Sequence, residues 1–205
     1  TTALDRLKKV SDDVGADGSE ESTQEIADVL GTLLQAYVRQ ILVAGHFQAD
    51  PHPGNLLYDK EAGLTLLDFG CSKSIDEPTR MAYLKLVQAF VVSDRESLVL
   101  RLSELGFRTR SGSADTLLAF VDVLLKEFRD AQASGGSLRF RKPEEMIADA
   151  KVVLAVATAD PIEGIPEEFV MIARVFGTIG GLFTHYEPEI DFSRHMMPTL
   201  IAAMS

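Results

Sequence analysis

Three oxygen-bearing side chains lie close together in a turn-rich part of the sequence. Asp50 and Asn55 are five positions apart within 48–55, and Asp68 opens the triplet 68–70 thirteen positions after Asn55. Carboxylate and amide oxygens are ligands that Mg²⁺, a hard cation, prefers. Phosphoryl transfer needs a carboxylate near the attacking hydroxyl and oxygen ligands that hold Mg²⁺ against nucleotide phosphates. The pattern predicts catalytic Asp50, with Asn55 and Asp68 binding Mg²⁺ and ATP.

The spacing of these residues matches that of protein kinases. Kinases place an Asp and, five residues later, an Asn in the catalytic loop, and a metal-binding Asp-Phe-Gly after a short hairpin. Two short apolar runs flank the turn-rich stretch 59–63, which predicts a hairpin over 56–67. That hairpin would join a catalytic loop at 46–55 to the Asp-Phe-Gly triplet at 68–70. Each motif alone is weak, whereas their order and spacing together favour a catalytic site.

Several alternatives stay open at these positions. Asp50 could be a turn residue before Pro51, and Asp68 a turn or helix cap. His52 either binds the cofactor by donating to phosphate or makes a hydrogen bond that stabilises the loop. His46, Asp50 and His52 together suit a transition metal, but the loop prolines restrict them and no fourth ligand is evident. We favour the kinase-like interpretation.

The rest of the chain is predicted to be mainly α-helical. Ser22 and Glu25 form a capping box, and apolar residues at three- and four-residue spacing then predict a long amphipathic helix over 23–45 that ends at Gly45. Six further helical segments follow Gly70, at 78–92, 94–105, 114–133, 143–158, 166–184 and 194–204. Together they form a helical body over 78–204. The predicted fold class is mainly α with a small β-hairpin.

Composition narrows the partners and the compartment. Lys and Arg number 20 against 31 Asp and Glu, a formal net charge of −11, so we expect no nucleic-acid partner, because that needs clustered positive charge. Residues 1–22 include an acidic Gly/Ser-rich stretch and are predicted to be a mobile linker. Cys71 is the single cysteine, so no disulfide can form within the chain, which favours a reducing, cytoplasmic location. We assign Cys71 no role. No run reaches the about 18 consecutive apolar residues of a membrane-spanning helix.

The motifs resemble those of a known family. The strings at 45–55 and 66–70 are similar to the UbiB/AarF family of atypical kinases, which is associated with ubiquinone and other isoprenoid-lipid metabolism, and the string at 174–182 resembles that family's C-terminal helix. The resemblance covers about 22–200. It implies that 23–205 is a protein-kinase-like C-terminal lobe, an atypical kinase or ATPase using ATP and Mg²⁺. It also implies an isoprenoid lipid or a membrane surface as a partner of the full-length parent.

The sequence departs from the kinase pattern in two ways. Gln48 stands where kinases have His, so the amide must replace the imidazole as a scaffold or the support is absent. No Gly-rich loop, strand Lys or partner Glu precedes the first predicted helix. We therefore expect that the N-terminal nucleotide-gripping lobe is absent, that the chain starting at Thr1 is cut from a longer protein, and that it is inactive alone. We also expect self-association through the exposed lobe interface and a location peripheral to the membrane for the parent.

Two other functions stay open. One is a non-catalytic module that uses a kinase-like fold to bind a partner or lipid, which retention of Asp50, Asn55 and Asp68 argues against. The other is a small-molecule phosphotransferase related to aminoglycoside or choline kinases, whose catalytic loops also carry an Asp and an Asn five apart. The Pro-His-Pro-Gly sequence at 51–54, between the Asp and the Asn, and the match at 174–182 favour the UbiB-like interpretation.

Overall fold

A long helix forms the centre of the molecule. The structure, a computed structural model, describes residues 20–124, 126–133, 137–138, 151 and 154–204. Helix α1 (Glu20–Arg39) runs on into one π-helical turn, Gln40–Ala44. Ser22 lies inside α1, so the predicted capping box at Ser22 is wrong and the predicted linker boundary at 22 falls inside the helix. The rest of the predicted linker, 1–19, lies outside the described residues.

Gly45 ends this helix, as predicted. Its φ of 66° is left-handed, a conformation that glycine adopts without steric cost. The Ile75 backbone N–H donates to the Gly45 carbonyl at 2.8 Å. A Cβ at position 45 would lie 3.0 Å from the Ile75 carbonyl oxygen, so this close approach also requires glycine. The contact holds the segment around Ile75 against the end of α1.

Two small antiparallel sheets follow α1. Strand β1 (His46–Gln48) pairs with β4 (Ser72–Ser74), a pairing that the sequence did not predict. The predicted hairpin is present as β2 (Leu56–Asp59) and β3 (Gly63–Leu66). The predicted catalytic loop at 46–55 therefore starts with a strand, because β1 finds its partner beyond the hairpin.

Most of the helical body is confirmed. It contains α2 (Glu77–Val91), α3 (Arg95–Leu105), α4 (Ala114–Leu124), α5 (Lys126–Ala133), helical residues 154–159, α6 (Glu167–Tyr186) and α7 (Phe192–Met204). Asp76 caps α2 by accepting from the Thr79 N–H at 2.9 Å, and Asp94 caps α3 by accepting from the Ser97 N–H at 3.0 Å. Most of the predicted helix at 143–158 lies outside the described residues.

Two further strand pairs interrupt this body. Strand β5 (Arg108–Thr109) pairs with β7 (Ile162–Gly164), and β6 (Ser137–Leu138) pairs with β8 (Ile190–Asp191). The strands are two or three residues long, too short for an alternating apolar pattern to be recognised in the sequence. The fold is nevertheless mainly α-helical with small sheets.

The main core surrounds α1. Its apolar side is fully or almost fully buried and packs with residues of β1, α2, α6 and α7; the central side chains are Leu30, Leu33, Leu34, Tyr37, Phe47, Leu84, Val175, Ile179 and Phe183. A smaller cluster lies under α3 and α4 around Leu102, Phe107, Leu117 and Val121. Helix α6 therefore reaches the main core directly, and its position relative to β1 is set by packing.

Two helices in the described part of the chain pass a simple test for membrane spans. By length and apolar composition alone, Thr23–Ala44 and Glu167–Tyr186 could cross a membrane. This is weak evidence, because core helices pass the same test, and more than half of the first segment is buried in the core.

Candidate active site

Pairing of β1 with β4 brings the predicted catalytic loop next to the Asp-Phe-Gly triplet. Gln48 lies opposite Ser72, and the Ala49 backbone N–H donates to the Cys71 carbonyl at 2.7 Å. Asp50 follows β1 and the triplet precedes β4, so in an antiparallel pair both segments leave the sheet at the same end. The hairpin between them folds back, and the Leu67 N–H donates to the Asn55 carbonyl at 2.7 Å.

The Gln48 side chain connects the two segments. It is fully buried. Its Nε2 donates to the Asp50 carbonyl at 2.6 Å and to the Asp68 carbonyl at 3.3 Å, and its Oε1 accepts from the Asp50 N–H at 3.1 Å. The sequence left open whether this amide could replace the histidine of kinases. In the structure it contacts the backbone of both aspartates, so the scaffold is present in amide form.

Helix α1 supports Gln48 from the core side. The Tyr37 hydroxyl donates to Gln48 Oε1, and Gln40 Oε1 in the π-helical turn accepts from the Gln48 N–H at 3.0 Å. Burial, and secondly the charge of Asp50, raise the pKa of Tyr37, so the hydroxyl keeps its proton and remains a donor. No spacing rule links Tyr37 to Gln48, and this support is a property of the tertiary structure.

Asn55 is held by the same loop. It closes a short 3₁₀ turn, Pro53–Asn55, and its Nδ2 donates to the Asp50 carbonyl at 3.2 Å. That contact uses the amide nitrogen. Within the described part of the chain Oδ1 accepts no hydrogen bond, so it is the atom that a cation would contact. The role of Asn55 as a metal ligand stays a prediction.

Asp68 adopts an uncommon backbone conformation. Its φ is 54°, in the left-handed region that few residues other than glycine occupy. Its Oδ1 accepts from the Gly70 N–H at 3.0 Å, which is the turn role that the sequence left open. Oδ2 accepts no hydrogen bond from the residues described. One carboxylate oxygen thus fixes the turn, and the other is available to a cation.

His52 stabilises the loop. Its Nδ1 accepts from the Gly54 N–H at 3.1 Å and caps the 3₁₀ turn. This is one of the two roles that the sequence left open. An Nδ1 that accepts leaves the proton of the neutral ring on Nε2. His52 therefore retains one donor, and its contact with phosphate stays a prediction.

Arg174 of α6 is a site residue that spacing did not reveal. Its Nη2 lies 2.8 Å from Asp50 Oδ1, across 124 positions of sequence. The one sequence signal is its place at the start of the string 174–182, which resembles the family's C-terminal helix. Nothing in that string points to Asp50, because the contact depends on how α6 packs.

The donor set fits Mg²⁺ better than a transition metal. No group of three or more His, Cys, Asp or Glu side chains suited to a metal occurs in the described ranges. His46 is exposed, and its Nδ1 lies 2.9 Å from Ser74 Oγ. Mg²⁺ typically takes one or two carboxylates, keeps several waters and takes its other ligands from substrate phosphates. Asp68 Oδ2 and Asn55 Oδ1 fit that requirement.

Known proteins are similar in sequence to this chain. Residues 6–101 match the family described as "ABC1 atypical kinase-like domain". The Arabidopsis thaliana chloroplast protein ACTIVITY OF BC1 COMPLEX KINASE 7 is 28% identical over 169 residues, which cover 80% of this chain and 23% of that protein. The chain belongs to the UbiB/ABC1 family of atypical kinases. Within that family, a Synechocystis protein, sll0095, is 25% identical over 173 residues, covering 83% of this chain and 28% of its own length.

A solved structure has the same fold as this UbiB/ABC1 chain. The complex of Rv3197 with erythromycin from Mycobacterium tuberculosis superposes with a TM-score of 0.63 at 12% identity, over 95% of this chain and 47% of that one. At this identity the match concerns the fold alone. The UbiB/ABC1 chain spans about a quarter of the length of the curated relatives it matches.

Proposed function

We propose that residues 23–205 are the catalytic, C-terminal lobe of an atypical kinase or ATPase that uses Mg²⁺ and ATP. The observation that carries this proposal is the hydrogen bonding around Gln48. One buried amide contacts the backbone carbonyls of both Asp50 and Asp68. The backbones of Asp50 and Asp68, on either side of the hairpin, are thereby linked through one side chain, which supports the roles that phosphoryl transfer gives to two such carboxylates.

Each residue has a separate role in this proposal. Asp50 accepts or orients the proton of the attacking hydroxyl, and Asn55 and Asp68 hold Mg²⁺ through Oδ1 and Oδ2. Bound Mg²⁺ neutralises charge on the phosphate oxygens of the nucleotide. The chain supplies preorganisation: the Asp50 backbone accepts from Gln48 and Asn55 and donates to Gln48. A fixed carboxylate lowers the cost of reaching the reactive geometry.

An isoprenoid quinone or other lipid is the proposed substrate class. Its support is the family resemblance of the motifs. A peripheral position at a membrane, on its cytoplasmic side, is part of the same proposal. The location of the Arabidopsis relative differs, because that protein is named as chloroplastic. A phosphate-release screen that compares lipid hydroxyls, small polar alcohols and water separates lipid kinase, small-molecule phosphotransferase and ATPase activities.

Two aspartate variants test the proposal in the complete protein that carries this chain. Asp68→Asn should abolish Mg²⁺-dependent ATP turnover, because a neutral amide cannot replace the anionic ligand. Asp50→Asn should lower kcat by about 10²- to 10⁴-fold if Asp50 is a general base. The control is Asp115→Asn, the same change at an exposed position in the first turn of α4, which should leave turnover unchanged. Wild-type rates in both site variants would favour a non-catalytic binding module.

The 205-residue chain alone provides a second test. Its sequence has no Gly-rich loop and no Val-Ala-Ile-Lys strand to grip the nucleotide. We expect weak Mg²⁺-ATP binding by calorimetry and negligible phosphate release. Leu67 and Phe69 are exposed beside the site, and sedimentation should show whether this apolar surface drives self-association. Micromolar ATP affinity with steady turnover would mean that the nucleotide grip lies within these residues.

A further inference from the structure

Helix α6 contacts the candidate site through two ion pairs on one of its faces. Glu167 Oε1 lies 2.7 Å from Lys73 Nζ in β4, and Arg174 Nη2 lies 2.8 Å from Asp50 Oδ1. Residues seven apart in a helix share a face. On this face of α6, Glu167 contacts strand β4 and Arg174 contacts the loop that follows β1. The core residues of α6 hold the helix there independently of either pair.

The backbone and the side chain of Asp50 are held by different parts of the molecule. Its backbone is fixed from the core side by Gln48 and Asn55. Its carboxylate is held from the outer side by Arg174, at Oδ1. Oδ2 accepts no hydrogen bond from the described residues. Rotation of the carboxylate is therefore limited by one contact, and that contact leaves a defined oxygen for a substrate hydroxyl.

No other described cation contacts Asp50. His52, two residues after Asp50, has its Nδ1 occupied by the Gly54 N–H. Lys73 is engaged by Glu167. Arg174 comes instead from another element and has further donors, because a guanidinium carries five N–H groups. Its side chain is 51% exposed and that of Asp50 is 35% exposed, so the pair lies open to an incoming substrate.

We propose that Arg174 is a positioning residue that holds Asp50 by Oδ1 and thereby aims Oδ2 at the attacking hydroxyl. This inference rests on the proposed function and adds a residue to it. Arg174 acts through Asp50 and makes no contact with the nucleotide in this role. Its loss should therefore change the rate of the chemical step and leave nucleotide affinity unaffected.

The test is a double-mutant cycle in the complete protein, with ATP turnover as the readout. Arg174→Met should lower kcat by about 10- to 100-fold, because misplacing a reacting group by about 1 Å costs rate on that scale. KM for Mg²⁺-ATP should stay within about twofold. Arg174→Lys, which keeps the charge and one donor group, should recover part of the rate. In an Asp50→Asn background Arg174→Met should have no further effect, because it acts through the missing carboxylate.

Lys73→Met is the matched control. It removes the other ion pair of the same helix face, a solvent-exposed pair of the kind that contributes little to stability, and should leave kcat unchanged. Thermal unfolding of each variant reports whether α6 is still packed. Additive losses from Arg174→Met and Asp50→Asn, or an equal loss of kcat in Lys73→Met, would overturn the positioning role. An inert Asp50→Asn would instead refute the proposed function, so the two failures are distinguishable.

Discussion

Replacing Gln48 by Leu removes the centre of the site without changing the size of the side chain greatly. Four hydrogen bonds of the Gln48 amide are lost: those to the carbonyls of Asp50 and Asp68, that from the Asp50 N–H, and that from the Tyr37 hydroxyl. The Asp50 carbonyl still accepts from Asn55. The Tyr37 hydroxyl has no such substitute, and Tyr37 is fully buried.

The magnitude follows from which groups lose their partner. A typical intramolecular hydrogen bond contributes about 0.5–1.5 kcal/mol net, whereas a buried donor left without a partner costs about 1–3 kcal/mol. The orphaned Tyr37 hydroxyl is the main source of the lost stability, the partly buried Asp50 N–H contributes less, and the 3.3 Å contact to Asp68 contributes little. Leucine recovers some energy by burying apolar surface. We expect Gln48→Leu to lower the free energy of unfolding by about 2–4 kcal/mol.

Urea denaturation of the 205-residue chain, followed by circular dichroism, measures this loss. The midpoint should fall by about 1–2 M. Gln24→Leu is the matched control: Gln24 is exposed on α1 and donates to Asp28 at 3.0 Å, so its loss should cost about 0.5 kcal/mol or less. Adding Tyr37→Phe to Gln48→Leu should restore about 1–2 kcal/mol, because no buried hydroxyl is then left unpaired. Equal costs at positions 48 and 24 would show that the Gln48 amide does not support the site.

Three further outcomes follow from buried groups and close contacts. Burial, and secondly the charge of Asp50, raise the pKa of Tyr37 in the folded state. The contribution of Tyr37 to stability is therefore fully present below its unfolded pKa of about 10 and is lost as pH rises above that value. Urea titrations should show that the free energy of unfolding falls less between pH 8 and pH 11 in Tyr37→Phe than in the wild type. The buried Tyr83 hydroxyl has no hydrogen-bond partner among the described residues, so Tyr83→Phe should keep or raise stability by up to about 1 kcal/mol. A Cβ at Gly31 would lie 2.6 Å from His195 Nε2, whereas one at Gly177 meets nothing within 4 Å. Thermal unfolding should therefore show Gly31→Ala less stable than Gly177→Ala by about 1–3 kcal/mol.

Local patterns predicted the elements of the fold. The apolar repeat of α1 from Ile26 to Tyr37 and the position of Gly45 follow from helix periodicity and from the steric freedom of glycine. The hairpin before Asp68 follows from two apolar runs around a turn. α1 includes Glu20, three residues before its predicted start at 23. Ser93 and Asp94 stand side by side before α3, and the cap is Asp94. Neighbouring Ser and Asp residues are near-equivalent caps, so propensity alone could not choose between them.

In the candidate site, too, some features follow from local sequence and others depend on how the helices pack. Asp50, Asn55 and Asp68 stand at kinase-like spacing in the chain, and residues joined by one loop and one short hairpin must stay near each other. The contacts of Tyr37 with Gln48 and of Arg174 with Asp50, across 11 and 124 positions respectively, could be found only in the folded molecule. Those contacts depend on how α1 and α6 pack around the shared core. Apolar packing is non-directional, so the apolar pattern predicts that a helix face is buried and does not predict which polar side chains meet at its edge.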